Sequence, residues 1–284
     1  MKPASFKYFR PGSVSEALAL LSENQDDCKI LAGGQSLVPA MNFRLLRPSI
    51  LIDINELKEL SAIKSTDQSV LIGALTRHAA FHRDIVAGPL GRLLSKVVRH
   101  IAHFPIRQRG TFGGSLAHAD PAAEWCLVAT TLGAQIVARS SRGERVIPSR
   151  EFFKGTFTTA LAADEILSEI RLPVMADGWR TGFNEFSRRA GDFALGMALA
   201  ALRIESGVVR EARLGIGGVS DRAIRLEKLE QSLVGKAASP QTFDAVAQEA
   251  RGAVVPTADI HASAEYRRDL IATVVKRALS EAAA

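Results

Sequence analysis

Two adjacent glycines directly follow a short apolar strand in the segment Ile30-Leu31-Ala32-Gly33-Gly34-Gln35-Ser36-Leu37, which we call the first glycine segment. Because glycine has no Cβ, the backbone there can turn sharply and lie close to a ligand. Successive N–H groups in such a turn, with the positive end of a helix predicted at 36–43, form a concave set of donors for phosphate oxygens. The segment therefore predicts a strand–turn–helix unit that can bind phosphate.

A second segment, Thr111-Phe112-Gly113-Gly114-Ser115, has a similar composition and follows another predicted helix. Neither this second glycine segment nor the first matches G-x-G-x-x-G or G-x-x-x-x-G-K-S/T, which excludes a Rossmann fingerprint and a Walker loop. A plain tight turn explains either glycine pair taken alone. Two separated donor sets suit a diphosphate, so the two segments together favour a ligand that carries one.

The bulk composition is that of a globular protein with one large domain or two ordinary ones. Hydrophobic residues make up 47% and charged residues 23% of the 284 residues, which excludes a disordered chain. The net charge of +6 is spread out without interleaved aromatics, so no nucleic-acid partner is expected. The N-terminus lacks a signal peptide and the longest apolar stretch, 126–138, is short, so we expect a cytoplasmic protein without stable membrane insertion.

No metal ligand and no catalytic residue is nominated by the sequence. Cys28 and Cys126 are too few for an iron–sulfur cluster and are interpreted as buried free thiols. His78 and His82 have a spacing that can chelate zinc on a helix, but no third ligand pattern is nearby and charged neighbours indicate a solvated face. G-x-S-x-G and any convincing acid–base pair are also missing.

The first 175 residues are predicted to mix helices with strands. Apolar periodicity and capping residues predict helices that begin at Ser13 or Ser15, at 36–43, at 76–86, at 90–103 and from Asp120 or Pro121 to Leu132. Runs of β-branched and aliphatic residues predict strands at 29–31, 50–54, 70–74, 134–139, 144–147 and 165–172.

The predicted domain boundary is Met175-Ala176-Asp177-Gly178. Strands are predicted beyond it at 180–187, 194–205 and 208–215, with Ser206-Gly207 as a hairpin turn between the last two. The remainder is predicted to be helical, with a last helix from Glu265 to about Ala278. The predicted fold class is α+β, with one domain at 1–175, in lobes of about 1–55 and 56–175, and an antiparallel sheet with helices at 176–284. Gly215-x-Gly217-Gly218 is interpreted as a turn or bulge rather than a third nucleotide loop.

Longer motifs around both glycine segments resemble a known family, and the similarity extends over essentially the whole chain. They are Ile30 to Pro39 with Met41-Asn42-Phe43-Arg44, Arg107 to Glu124, Asp164-Glu165-Ile166-Leu167, Glu185 to Ala194 and Leu214 to Val219. In this order they resemble the flavoprotein (medium) subunit of the molybdenum hydroxylases. This is the family of carbon monoxide dehydrogenase, xanthine dehydrogenase and the bacterial N-heterocycle hydroxylases.

The resemblance implies a two-lobed FAD-binding domain of PCMH type, like that of vanillyl-alcohol oxidase, and then a CO dehydrogenase flavoprotein C-terminal domain. It implies that the two segments wrap the diphosphate and ribityl region of FAD, through Ile30, Leu31, Ala32, Gly33, Gly34, Gln35, Ser36, Leu37, Thr111, Gly113, Gly114 and Ser115. It also implies apolar flavin contacts by Ile101 and Leu167, an adenosine contact by Glu124, and stacking or shielding of the isoalloxazine ring by Phe193.

Some positions depart from the family pattern or stay open. Xanthine dehydrogenases carry a lysine shortly before an Arg-Arg pair, where this chain has Asn184-Glu185-Phe186, so a lysine contact to the flavin does not carry over. His118, inside the motif, is expected to make a structural bond within its loop. Arg107 and Arg109 are expected to contact a partner or to form a local salt bridge.

The function implied by the resemblance is that of an FAD-binding electron-transfer subunit in a heteromeric molybdenum hydroxylase. A large subunit would hold the molybdenum cofactor, and a small subunit with 2Fe–2S clusters would relay electrons to the FAD of this chain. An external acceptor would then take them, within a dimer of heterotrimers. The missing acid–base pair fits this function, because an electron relay needs none. The substrate and the acceptor are not indicated by the sequence.

Two other functions stay open. A stand-alone flavin oxidoreductase that acts directly on a small substrate would need a base beside the flavin ring, and the sequence nominates none. A non-catalytic assembly protein could have kept the fold without the cofactor. A visible spectrum of the purified protein distinguishes these functions. The electron-transfer subunit and the stand-alone oxidoreductase both require bound FAD, whereas the assembly protein does not.

We expect Gly34→Val and Gly114→Val to lower the FAD content of the purified protein, because each valine would place a side chain where phosphate should lie. The ratio of flavin absorbance to protein absorbance measures that content. Unchanged flavin occupancy in both variants would contradict the predicted site.

Overall fold

A computed structural model describes residues 1–24 and 27–284 of the chain. Its N-terminal part contains strand β1 (Lys7–Phe9), helix α1 (Val14–Glu23), strand β2 (Cys28–Leu31), helix α2 (Leu37–Asn42) and strand β3 (Ile50–Asp53). The strand order is β1-β3-β2, and both pairs are parallel. Since carboxyl ends of parallel strands share one edge of a sheet, β2 and β3 deliver the first glycine segment and Asn55 to the same place.

Helix α1 begins where its cap lies. The hydroxyl of Ser13 accepts the N–H of Glu16, so Ser13 is the capping residue among the two that the sequence offered. The buried face of α1 includes Ala17 and Leu21, which pack with Ile52 of β3 in one apolar cluster. Helix α1 therefore covers one face of the parallel sheet.

The middle part of the chain is built on a second, five-stranded sheet. Its elements are β4 (Ile63–Ser65), β5 (Ser69–Gly73), α3 (Pro89–Val97), α4 (Phe104–Arg109), α5 (Phe112–His118), α6 (Glu124–Leu132), β6 (Gln135–Ser140), β7 (Gly143–Pro148), α7 (Ser149–Phe152), β8 (Phe153–Gly155), β9 (Thr158–Thr159) and β10 (Ile166–Pro173), with short 3-10 helices at Lys58–Ser61 and His78–His82. The sheet order is β4-β5-β10-β6-β7, with antiparallel neighbours, and β8 pairs with β9.

The main core of this part is aromatic at its centre. Trp125 in α6 is fully buried, with its ring 4.7 Å from that of Phe112 and 5.0 Å from that of Phe81. Phe112 belongs to the second glycine segment, so the segment is anchored by its own side chain. Burial of rings of this size contributes on the order of 2 kcal/mol each.

The C-terminal part is an antiparallel sheet covered by helices. Its elements are β11 (Trp179–Ser187), β12 (Ala194–Glu205), β13 (Val208–Gly217), β14 (Ile224–Arg225), α8 (Glu227–Leu233), α9 (Pro240–Gly252) and α10 (Ala264–Ala283). The four strands, in the order β11-β12-β13-β14, form what we call the C-terminal sheet. Ser206 and Gly207, with φ of 50° and 75°, form the predicted hairpin turn. None of the helices in the described ranges is long and apolar enough to cross a membrane.

Most predicted elements and the α+β fold class are confirmed, but the helix predicted at 76–86 is wrong. Only the 3-10 turn His78–His82 forms there. Arg77 pairs as an isolated β-bridge with Thr111, and the N–H of His78 donates to the carbonyl of Gly110. These backbone bonds to a distant segment use groups that a helix would need, so tertiary pairing overrides the local periodicity.

Two further helix boundaries are also wrong. The predicted helix at 90–103 ends at Val97, and a separate helix α4 begins at Phe104 with Pro105 in its first turn, where proline is tolerated because the N–H is not needed. Helix α6 begins at Glu124 rather than at Asp120 or Pro121, because the carboxylate of Asp120 accepts the N–H of Ala122 in a preceding turn. Strand β1 was not predicted.

Helix α10 lies very close to the C-terminal sheet at Gly182, since a Cβ there would lie 2.0 Å from the carbonyl oxygen of Ala278. We expect Gly182→Ala to lower the free energy of unfolding by about 1–3 kcal/mol, because helix or strand must shift. Urea denaturation measures the change. The matched control is Gly252→Ala, whose added methyl meets nothing within 4 Å. Equal stabilities of the two variants would show that α10 does not pack tightly on β11.

Candidate cofactor site

The two glycine segments meet through direct contact of their backbones. A Cβ on Gly33 would lie 2.4 Å from the carbonyl oxygen of Arg109 and 2.7 Å from the Cα of Gly110. No side chain larger than hydrogen fits there without moving one backbone away from the other. Gly33 is therefore required by the approach of the second segment as well as by any ligand.

The first glycine segment offers a run of backbone donors. The N–H groups of residues 32 to 37 donate to no acceptor among residues 1–24 and 27–284. Gly34 has a φ of 72°, and the side-chain amide of Gln35 donates to the carbonyl of Gly33 at 3.0 Å, so the turn is held in shape by its own members. Consecutive N–H groups in a turn of this kind form a concave anion-binding surface.

The second glycine segment does not repeat this arrangement, and the expectation of a second set of free donors is wrong. The N–H of Gly113 donates to the carbonyl of Ala74 at 2.9 Å, and the N–H of Gly114 donates to the Thr111 hydroxyl at 3.0 Å. The segment is the capped first turn of α5. A Cβ on Gly113 would lie 2.4 Å from that of Ala74, so Gly113 serves close packing on β5. Contact of these residues with a cofactor stays a prediction.

Asn55 and Arg77 join the two segments, and the sequence reasoning missed both. The side-chain amide of Asn55 donates to the carbonyl of Ala32 at 2.7 Å. The guanidinium of Arg77 donates to the Asn55 side-chain oxygen at 2.6 Å and to the carbonyl of Arg109. The position of Asn55 just after a buried strand, at the edge that also carries the glycines, was the available signal.

Ile101, a predicted apolar contact of the flavin, lies in a chain turn that is held by Arg107. Arg107 donates to the carbonyl oxygens of Ile101 (2.8 Å) and Ala102 (2.7 Å), so its role is local hydrogen bonding rather than a salt bridge. Ala102 has a φ of 43°, which turns the chain sharply after the apolar side chain of Ile101. A Cβ on Gly191 would lie 3.0 Å from the Ala102 carbonyl, so the loop that carries Phe193 packs against this turn.

Comparison with known proteins agrees with this geometry. Residues 4–175 match the FAD binding domain in molybdopterin dehydrogenase, and residues 181–282 match the CO dehydrogenase flavoprotein C-terminal domain. The chain is 42% identical to the 6-hydroxypseudooxynicotine dehydrogenase complex subunit alpha of Paenarthrobacter nicotinovorans, over 99% of this chain and 96% of that protein. A solved carbon monoxide dehydrogenase from Hydrogenophaga pseudoflava matches with a TM-score of 0.95 and 36% identity, over 99% of this chain and 98% of that chain. The chain belongs to the FAD-binding subunits of the molybdenum hydroxylases.

This molybdenum hydroxylase flavin subunit is thus part of an oxidoreductase and contains an FAD-binding domain. The matches confirm the two-lobed FAD-binding fold and the flavoprotein C-terminal fold that the sequence motifs implied. A further relative, caffeine dehydrogenase subunit beta of a Pseudomonas species, is 39% identical over 100% of this chain and 96% of that protein. The individual FAD contacts stay predictions.

The remaining nominated residues of the flavin subunit lie in different surroundings. Leu167 is buried in β10, next to Ser168, whose carbonyl accepts the N–H of Ala74 behind the second glycine segment. Phe193 is 70% exposed in its loop. Glu124 lies in the first turn of α6, and its carboxyl interacts electrostatically with those of Asp120 and Glu185. Its adenosine contact stays a prediction.

Glu185 is the unexpected group in this region. Its side chain is 3% exposed, and its Oε2 atom has no hydrogen-bond partner in the described part of the chain. Burial, and then the neighbouring Glu124 carboxyl, raise the pKa of Glu185 to about 9. Burial also raises the pKa of Glu124. The only cation near Glu185 among the described residues would be His100, whose Nδ1 is 4.0 Å away, but burial and Lys96 lower the pKa of that imidazole.

The histidine predictions need correction. His78 is buried rather than solvated, and its Nδ1 accepts the Trp125 indole N–H at 3.0 Å. Burial, and then two nearby arginines, lower the pKa of His78 to about 4, so it is neutral at pH 7. His82 accepts the Nε–H of Arg107 at 3.0 Å. His118 makes a ring contact with Phe157, with centroids 4.7 Å apart, in place of the expected bond within its loop.

We expect Glu185→Gln to weaken the pH dependence of stability. Because folding raises the pKa of Glu185, the folded protein holds a proton that the unfolded chain releases, and the free energy of unfolding falls as the pH rises from about 5 toward about 9. Glutamine stays neutral, so the variant should lose less stability over this window. Chemical denaturation at several pH values measures the difference.

The control for this experiment is Glu249→Gln, an exposed carboxylate of α9. It should keep the decline of the wild-type protein. If Glu185→Gln loses stability in parallel with the wild type up to about pH 9, Glu185 titrates as an ordinary carboxylate and its burial has no such consequence.

Proposed function

We propose that this chain is the FAD-binding electron-transfer subunit of a heteromeric molybdenum hydroxylase. The observation that carries the proposal is the run of unpaired N–H groups at residues 32 to 37, held against the second glycine segment. Free donors in a rigid turn favour an anionic ligand, and the family to which the chain belongs makes the diphosphate of FAD the fitting one.

The residues of this chain would bind and orient the cofactor. The N–H groups at 32 to 37 would donate to the diphosphate, and the apolar side chains of Ile101 and Leu167 would exclude water from the ring. When bound, FAD supplies the redox chemistry, because its ring system can exchange electrons one or two at a time. No residue of the site is assigned a proton-transfer step with substrate.

Partner subunits complete the proposed function. A large subunit with the molybdenum cofactor would oxidise the substrate, and a small subunit with 2Fe–2S clusters would pass electrons to this chain, in a dimer of heterotrimers. The two cysteines, Cys28 and Cys126, are both buried thiols and are too few for a cluster. Phe104 and Phe193, on elements that pack around Ala102, are 58% and 70% exposed, and a partner would cover such apolar surface.

We expect the purified chain to be yellow, with the absorbance bands of an oxidised flavin, and to become reduced only when its partner subunits and their substrate are present. Co-expression with the neighbouring genes, followed by mass spectrometry of the complex, identifies those partners. A protein that takes up no FAD overturns the proposal. Reduction of the isolated chain by small substrates would instead favour the stand-alone oxidoreductase.

A further inference from the structure

We propose that Arg77, oriented by Asn55, is the positive charge that positions the diphosphate at the unpaired N–H groups of the first glycine segment. The inference rests on the proposed function, since it names a residue of the same site. Arg77 belongs to neither glycine segment and precedes the 3-10 turn at His78–His82. Its side chain is half-buried at the junction of the parallel sheet with α4 and α5.

The guanidinium lies next to the free donors of the first segment. One of its N–H groups donates to the carbonyl of Arg109, the same oxygen that a Cβ on Gly33 would approach to 2.4 Å. Another donates to Asn55, which itself donates to the carbonyl of Ala32. Arg77 is thereby tied to the start of the first glycine segment, through Asn55 and Ala32, and to the chain just before the second segment, through Arg109.

The hydrogen bonds of the Asn55 side-chain amide allow it only one orientation toward Arg77. Its NH2 group donates to the carboxylate of Asp53 at 2.6 Å and to the carbonyl of Ala32, so its oxygen is the atom left to accept from Arg77. Asp53 in turn accepts the Tyr8 hydroxyl at 2.5 Å. This chain of bonds fixes the guanidinium in place before any ligand arrives.

The charge of Arg77 has no counter-ion in the described part of the protein. No carboxylate oxygen lies within 4.0 Å of it there, and the carboxylate of Asp53 is occupied by Tyr8 and Asn55. Burial, and then the charge of Arg109, lower the pKa of Arg77, and these two effects outweigh the opposite effect of the Asp53 carboxylate, which lies beyond ion-pair distance. A half-buried cation without a partner, beside a run of free N–H donors, fits an anion with several oxygens.

The test is a titration of FAD into the full-length, FAD-free protein, followed by quenching of flavin fluorescence. Arg77→Gln should weaken FAD binding by about tenfold or more, because a hydrogen-bonded charge is lost. Arg77→Lys should recover part of the affinity, since it keeps the charge. Added salt should weaken FAD binding less in Arg77→Gln than in the wild type. The matched control is Arg83→Gln, an exposed arginine nearby, which should bind FAD as the wild type does.

Riboflavin, which carries no phosphate, is the second probe. The proposal requires that Arg77→Gln weaken FAD binding and leave riboflavin binding unchanged. Equal losses for both probes, or an unchanged FAD affinity with wild-type salt dependence, overturn the role of Arg77. If the wild-type chain binds no FAD at all, the proposed function fails instead. If Arg77→Gln does not fold, the binding of FAD and of riboflavin is compared in Arg77→Lys and Asn55→Ala instead.

Discussion

The site depends on one contact between two backbones. The backbone of Gly33 lies so close to the backbone at Arg109 and Gly110 that not even a methyl group fits between them. This contact ties the edge of the parallel sheet to the turn before α5, and the hydrogen bonds of Asn55 and Arg77 span the same junction. Steric closeness sets the distance, and the polar groups then set the orientation. Neither effect alone would hold a turn whose own N–H groups are unpaired.

Electrostatics divides the region around the site into two parts. Beside the first glycine segment, unpaired donors and the Arg77 guanidinium leave positive charge without a partner. Where α6 meets the C-terminal sheet, burial raises the pKa of the Glu124 carboxyl to about 7 and that of the Glu185 carboxyl to about 9, which favours their protonated forms. The first arrangement favours an anionic ligand, whereas the second avoids a buried anion. The same chain thus handles unfavourable charge by ligand binding in one place and by protonation in another.

The sequence predicted those features that local chemistry decides. Strands β2 and β3, the turn at Gly34 and the hairpin at Ser206 all follow from residue types at fixed spacing. The helix predicted at 76–86 failed because backbone groups there bond to Gly110 and Thr111, which no local pattern reveals. The prediction of free donors in the second glycine segment was wrong for a related reason, since the carbonyl of Ala74 accepts the N–H of Gly113. Arg77 was missed because its importance comes from neighbours that are distant in the chain.

The contact at Gly33 also bears on how the molecule is made. Gly33 and Gly110 are separated by a long stretch of chain, so the contact closes only after the loop entropy of that stretch has been lost. The junction therefore exists only in the folded chain, and a molecule that binds beside it recognises the folded chain alone. Binding of such a molecule therefore stabilises the folded chain relative to the unfolded chain by mass action.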